Sequence, residues 1–392
     1  MIHDFAQFLK EASPAKASKN LHLEHIEDEL FNSGFVGFQK AVKTFSGVVV
    51  SLKGNEPSSH DLTLKWDGSP AIVCGEDPAT GKFFVGTKSV FNVTPKLNFT
   101  NADIDANHPA EGLNDKLKLA LKYLRGLGIS GILQGDLLFT ASSIENETID
   151  GEKYLTFQAN TIKYAVDPAS IIGKAMSAAK MGIVFHTAYI GNSIQTAKAS
   201  FNPSLSGLKK SRDVWYDNAT LKQVGTSVLF SKSETESLRL DIEAVTKLAN
   251  TSRVFMNSFS KNEAVKAFTK IYINSLVRSG TLSPTAVGLA TFVQSKAKTL
   301  KETASLKYIH DNQKGIDLLF NIHSKLSNIK LHILKKLANI EMDVSSFVQS
   351  GDGYKVTAPE GLVAIDKLSN SALKLVDRLG FSQSNFNAAK RF

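Results

Sequence analysis

Leu62-Thr63-Leu64-Lys65-Trp66-Asp67-Gly68-Ser69-Pro70-Ala71-Ile72-Val73 is the stretch on which the fold turns. An alternating run leads into a lysine, a carboxylate and a turn glycine, and a second apolar run follows. Period-two alternation predicts a strand over 61–65, and the apolar run predicts another over 71–74. A lysine at a strand end, partly desolvated and beside other cations, can lose its proton and attack a phosphorus atom. Asp67 can then orient a nucleotide, and Gly68 lets the backbone turn tightly next to a bulky substrate. Taken alone, Lys65 to Gly68 also fits an ordinary solvated turn.

Upstream, residues 2–45 read as helical, with an N-cap at Asn20 and acidic residues close behind. His22 and His25 lie three apart near Glu24, Asp28 and Glu29, with no third His or Cys, which favours packing or capping over metal binding. From Gly47 the pattern changes to short alternating runs. Strands are predicted at 48–53, 61–65, 71–74 and 82–86, with Asp77-Pro78-Ala79-Thr80-Gly81 as a turn between the last two. An amphipathic helix follows at 113–127, with Leu117, Leu121 and Leu124 on one face, then strands at 132–139, 154–159 and 183–190. Helical patterns cover 234–248, 262–277, 284–300 and 311–338 before strand-like runs return at 362–365 and 372–376. The expectation is an α+β chain: an N-terminal helical segment (1–46), a largely antiparallel core (47–204 with 352–392) and a helical insertion (205–351).

The 392 residues exceed the usual size of one domain, and 42% hydrophobic content with a mean hydropathy of −0.09 is ample for a soluble globular core. No apolar run approaches the roughly 18 residues a membrane span needs. The start, Met1-Ile2-His3-Asp4, lacks the pattern of a secretion signal. A single cysteine, Cys74, excludes an internal disulfide and a thiolate zinc site, so a reducing cytoplasm is the expected location. The net charge is +9. Between Lys232 and Glu341 there are 17 Lys or Arg against 9 Asp or Glu, an excess of 8, so the helical block carries nearly all of it. That distribution fits a module that holds a polyanion beside a neutral body.

Four further segments bear on Lys65. Gln134-Gly135-Asp136-Leu137 sets a carboxylate on a strand, able to accept hydrogen bonds from a ribose. Gly182-Ile183-Val184-Phe185-His186 carries a ring able to stack on a purine. Glu360-Gly361-Leu362-Val363 opens a strand with a carboxylate suited to Mg²⁺. Ala372-Leu373-Lys374-Leu375-Val376 puts one cation in an apolar strand, where it must snorkel or meet an anion such as phosphate. There is no Walker-type loop, Gly-x-Ser-x-Gly elbow or His-Glu-x-x-His helix.

In this order the segments resemble the covalent nucleotidyltransferase superfamily of polynucleotide ligases and mRNA-capping enzymes. The resemblance covers about 61–190 and 358–392 and leaves out the helical block. The runs His22 to Glu27, Phe157 to Tyr164 and Phe185-His186-Thr187 also look like those of ligase-like proteins of large tailed phages, which would place the chain in a host cytoplasm. The resemblance implies an antiparallel ligase-adenylation core with Lys65 as nucleophile and Asp67 beside it. It implies Gly68, Asp136, Phe185 and Glu360 around ATP, Glu360 on Mg²⁺ or Mn²⁺, and Lys374 on the phosphates. The implied activity joins 5′-phosphate to 3′-hydroxyl ends of nucleic acid through lysyl-AMP. RNA is favoured over DNA, because no second strand-rich segment resembles a small accessory barrel.

This sequence departs from the superfamily in three places. Asp136 stands where Glu is usual, Lys374 lacks a second lysine two residues away, and no arginine closely follows Gly68, where Lys88 is the substitute. Two alternatives follow: nucleotidyl transfer to another acceptor (capping or protein modification), or a nucleic-acid-binding or virion-associated protein that has lost turnover.

Overall fold

The computed structural model describes residues 23–53, 57–221, 230–296, 300–337, 344–350, 353–357 and 359–382. The expected helix start at Asn20 to His22 lies outside them. The strands are β1 (His60–Lys65), β2 (Ala71–Glu76), β3 (Phe83–Gly86), β4 (Ile132–Thr140), β5 (Glu145–Ile149), β6 (Glu152–Phe157) and β7 (Lys163–Val166). They continue as β8 (Met181–Ile190), β9 (Lys198–Phe201), β10 (Val214–Asn218), β11 (Ser345–Ser350), β12 (Gly353–Val356), β13 (Gly361–Asp366) and β14 (Ala372–Val376). The helices are α1 (Glu29–Lys53), α2 (Asn101–Asn107), α3 (Glu111–Leu124) and α4 (Ile171–Ala178). The basic block then holds α5 (Lys232–Thr251), α6 (Arg253–Phe259), α7 (Glu263–Arg278), α8 (Ala286–Lys296), α9 (Leu300–Asp311) and α10 (Gln313–Leu337). The molecule is thus mixed helix and mainly antiparallel sheet, as an α+β reading requires.

Three sheets organise it. The first, β1-β13-β14, is antiparallel, with Lys65 opposite Gly361 and Thr63 opposite Val363, which in turn faces Lys374. The chain crosses from β1 through Trp66 to Pro70 into β2, part of a second sheet ordered β10-β8-β4-β2-β3, to which β9 adds by pairing with β8. The third sheet, β12-β11-β7-β6-β5, draws its strands from both sides of the helical block.

Strand alternation explains how these layers pack. Leu62, Leu362, Ala364, Leu373 and Leu375 point to one face of the first sheet and join a core cluster built from α1 and α5 to α10. The opposite face presents Thr63, Lys65, Val363 and Ile365 to a cleft. The second sheet buries Ile72, Leu133, Leu137, Ile183 and Phe185 against Leu117, Leu121 and Leu124 of α3. Local signals agree at the helix starts: Ser231 and Glu234 form a reciprocal capping box on α5, and Thr100 with Asp103 does the same on α2.

The strand expected at 48–53 is instead the last part of α1. Val48, Val49 and Leu52 face the helical core at helical spacing, so packing overrides the β preference of a valine run. The kink in α1 falls at Gly34, whose φ of 61° suits glycine. A Cβ there would meet Asn257 of α6 at 2.7 Å, so the kink also lets the two helices touch. Among the described residues no helix is long and apolar enough to cross a membrane.

Candidate active site

Lys65 is the last residue of β1 and Glu360 immediately precedes β13, so the Lys65–Gly361 register brings them together across 295 positions of chain. Lys65 Nζ lies 2.5 Å from Glu360 Oε2, with the lysine side chain 32% exposed and the glutamate 5%. Burial favours a neutral amine, but the carboxylates of Glu360, Asp136 and Asp67 outweigh it and hold Lys65 above the ordinary lysine value. Burial also pushes the Glu360 carboxyl above the usual range, with Asp67 and Asp136 adding to the push and Lys65 opposing it. The sequence predicted a lysine depressed by nearby cations. The structure sets the amine among acids instead, so the attraction of Glu360, Asp136 and Asp67 raises it rather than lowering it.

Asp67 is buried and accepts from Asn160 Nδ2 at 2.8 Å and from the backbone N–H groups of Thr161 and Ile162 at 2.7 and 2.8 Å. Its own N–H donates to the Tyr164 hydroxyl at 2.8 Å, and the Trp66 ring packs on Tyr164 at 5.1 Å. Asp67 therefore locks the turn after β1 onto the loop between β6 and β7. Gly68 is forced by contact: a Cβ there would sit 2.7 Å from Asp136 Cβ and 2.8 Å from the Leu137 carbonyl oxygen. The Ser69 N–H donates to that same oxygen at 2.8 Å.

Asp136, on β4, faces the cleft opposite Val184 of β8. Lys374 stands across Val363 from Thr63, on the cleft face of the first sheet. Burial, reinforced by Lys65 and Arg378, pulls its amine below the ordinary lysine value, and no carboxylate pairs with it among the described residues. The structure thus brings together Lys65, Asp67, Gly68, Asp136, Glu360 and Lys374.

Two expected residues stand apart. Phe185 is fully buried in the α3-side core, because alternation along β8 turns Val184 and His186, not Phe185, into the cleft. Lys88 is exposed at the start of a short 3₁₀ turn after β3, and it is not among the cleft-lining residues.

As oxygen donors for a divalent cation, Glu360 bonds Lys65 through Oε2, which leaves Oε1 as a donor, and Asp136 faces the cleft, while Asp67 is spent on its loop. One or two carboxylates that leave room for substrate phosphates suit Mg²⁺, so the donor set fits that ion only alongside a bound phosphate. A tighter cluster lies elsewhere: Glu27, Asp28 and His323, all buried, offer ligand atoms within 4.8 Å of one another. There Lys330 pairs with Glu27 and Arg378 with Asp28, so two cations already neutralise both carboxylates.

Sequence reading attached no role to the Asn160–Tyr164 cradle or to His186. The resemblance of 157–164 and 185–187 to phage proteins was the only signal that marked them. Part of the basic block's charge is already paired: Lys336 with Glu234, Lys266 with Glu263 and Lys307 with Asp311 inside the block, and Lys270 with Glu24 of the N-terminal segment.

A model for a "Family of unknown function (DUF6267)" matches residues 20–390. The chain belongs to DUF6267. No curated protein and no solved structure matches it. The matched span takes in every cleft residue of this DUF6267 chain and the whole helical block, so the family is defined on sheets and helices together.

Proposed function

We propose that the protein is an ATP-dependent nucleotidyltransferase of the polynucleotide-ligase kind. One observation carries this reading: an ion-paired Lys65 and Glu360 and, on the same sheet, a Lys374 with no ion pair among the described residues, with Asp136 of the second sheet opposite, gathered from four distant segments. In this reading Lys65 Nζ bonds to the α-phosphorus of ATP while the bond to the bridging oxygen of the β-phosphate breaks and pyrophosphate leaves. The lysine proton passes to the Glu360 oxygen 2.5 Å away. Lys374 meets the negative charge that builds on the phosphates, and the absence of an ion pair on its amine among the described residues keeps it available. A divalent cation held by Glu360 together with the phosphates would supply further charge neutralisation. AMP then passes to a 5′-phosphate end, and a 3′-hydroxyl displaces it to seal the strand. The positive charge of the helical block supports nucleic acid as the polyanion held nearby.

The test is incubation with α-labelled ATP and Mg²⁺, then mass mapping of the adduct. A lysyl-AMP on Lys65, lost in Lys65→Ala, is the expected result. An adduct that survives the substitution removes Lys65 as nucleophile. A second reading, a nucleic-acid-binding protein without turnover, is favoured by one observation: Lys65 is ion-paired with Glu360, and the surrounding carboxylates raise its amine above the ordinary lysine value. Salt-sensitive nucleic acid binding with no pyrophosphate release would select it.

A further inference from the structure

The cleft between the first two sheets is apolar at Leu23, Val363, Ile365 and Phe201 and polar at Lys65, Asp136 and His186. His186 stands on β8 and Asp136 on the neighbouring β4, with His186 Nε2 3.7 Å from Asp136 Oδ1. That gap is too long for a direct hydrogen bond. A single oxygen atom can lie about 2.8 Å from both at once. The other ring nitrogen is fixed: His186 Nδ1 is 2.8 Å from the hydroxyl of Thr187, which is buried. With that hydroxyl donating to Nδ1, the ring carries its proton on Nε2 and offers a donor beside the carboxylate acceptor. An alcohol hydroxyl both donates and accepts, so it satisfies the pair, whereas a hydrogen in its place leaves both groups unpaired.

We propose that Asp136 and His186 form a two-point clamp for one sugar hydroxyl, making the cleft selective for a nucleotide that carries this hydroxyl over the analogue that lacks it. The inference rests on the nucleotide-binding reading above. It also suits the shorter acid at position 136, because the neighbouring imidazole supplies a donor that a lone carboxylate lacks.

The test is calorimetric titration of the full chain with ATP, 2′-deoxyATP and 3′-deoxyATP, for wild type, His186→Ala and His186→Gln. Melting curves check that each variant is folded. Wild type should bind ATP about tenfold or more tightly than one of the deoxy analogues, the size of one hydrogen bond to a charged group. His186→Ala should lower ATP affinity to that analogue's level and abolish the discrimination, and His186→Gln, which keeps an N–H donor, should restore part of it. A merely structural role would weaken all three nucleotides together, which overturns the clamp. Equal binding of all three by wild type also overturns the clamp but leaves the nucleotide site standing. Absence of ATP binding by wild type overturns both.

Discussion

Arg378 grips Asp28 through one guanidinium nitrogen, at 2.9 and 3.0 Å to the two carboxylate oxygens, across 350 positions of chain. Its other terminal nitrogen donates to Asn274 of α7 at 2.8 Å. His323 of α10 adds a contact of 2.9 Å to Asp28, and Lys330 reaches Glu27 from the same helix. The segment after β14, the turn before α1 and two bundle helices thus meet in one buried charge network. Removing one member leaves an uncompensated charge in the core. Arg378→Ala should therefore cost about 3–5 kcal/mol of folding stability, read from urea denaturation. A loss below about 1 kcal/mol would show that water already reaches the pair.

Asp67 makes its contacts with the loop between β6 and β7, not with the cleft. Asp67→Ala removes three buried acceptor contacts of a charged group, those from Asn160 Nδ2 and from the Thr161 and Ile162 N–H groups, so it should destabilise the fold by about 3 kcal/mol. Asp67→Asn should lose less, because the amide keeps one acceptor oxygen. Denaturant midpoints for the two variants give the comparison; equal, small losses would contradict a locking role.

Lys374 separates activity from stability. Its amine is drawn below the ordinary lysine value by burial and by Lys65, so the folded chain gains little from it. Lys374→Met should leave the melting temperature unchanged or raise it, while slowing formation of the Lys65 adduct by about a hundredfold. A variant that melts lower and reacts at the wild-type rate would reverse both assignments.

His25 sets a pH dependence. It is bridged to Lys374 at the edge of the first sheet, and burial, with Lys374, Arg378 and Lys330 adding to it, holds its ring well below 6.5; Asp28 opposes. Below pH 6.5 the unfolded chain takes up a proton that the folded chain refuses, so stability falls as pH drops from 7 toward the lowered value. Burial lowers His60 and His108 too, with the same sign. The depressed carboxylate of Asp28 acts in a different window, where stability present above about pH 4 is lost on further acidification. Urea midpoints at about pH 7 and 5 should differ in wild type, and His25→Gln should shrink that difference. An unchanged difference would mean that His25 titrates alike in both states.

The strands flanking Lys65 were readable because each buries one face, so alternation survives in 61–65 and 372–376. The bundle helices were readable from apolar spacing. β8 was readable as a strand but not in its facing: its first five residues are all buried, so no alternation marks Val184 and His186 as cleft residues and Phe185 as core. β5, with the sequence Glu145-Asn146-Glu147-Thr148-Ile149, is polar and largely exposed, and carries no apolar pattern at all. The Asp67 cradle was illegible for another reason. Its partners are backbone amides nearly a hundred residues away, and a sequence does not display where backbone groups point. The order Lys65, Asp136, Glu360, Lys374 was visible, but the charge state of the lysine depends on which neighbours lie nearest in space.

The β1-β13-β14 sheet has one wall set in the helices and the other open to Lys65. Cutting out residues 205–351 to obtain a minimal catalytic fragment would leave α1 as the one remaining helix over Leu62, Leu362, Ala364, Leu373 and Leu375, and would strip α10 from β14, opening much of that oily plane to water. The helices are thus the footing on which the lysine and its glutamate are held in line. Any engineered truncation would have to supply a replacement for that footing first.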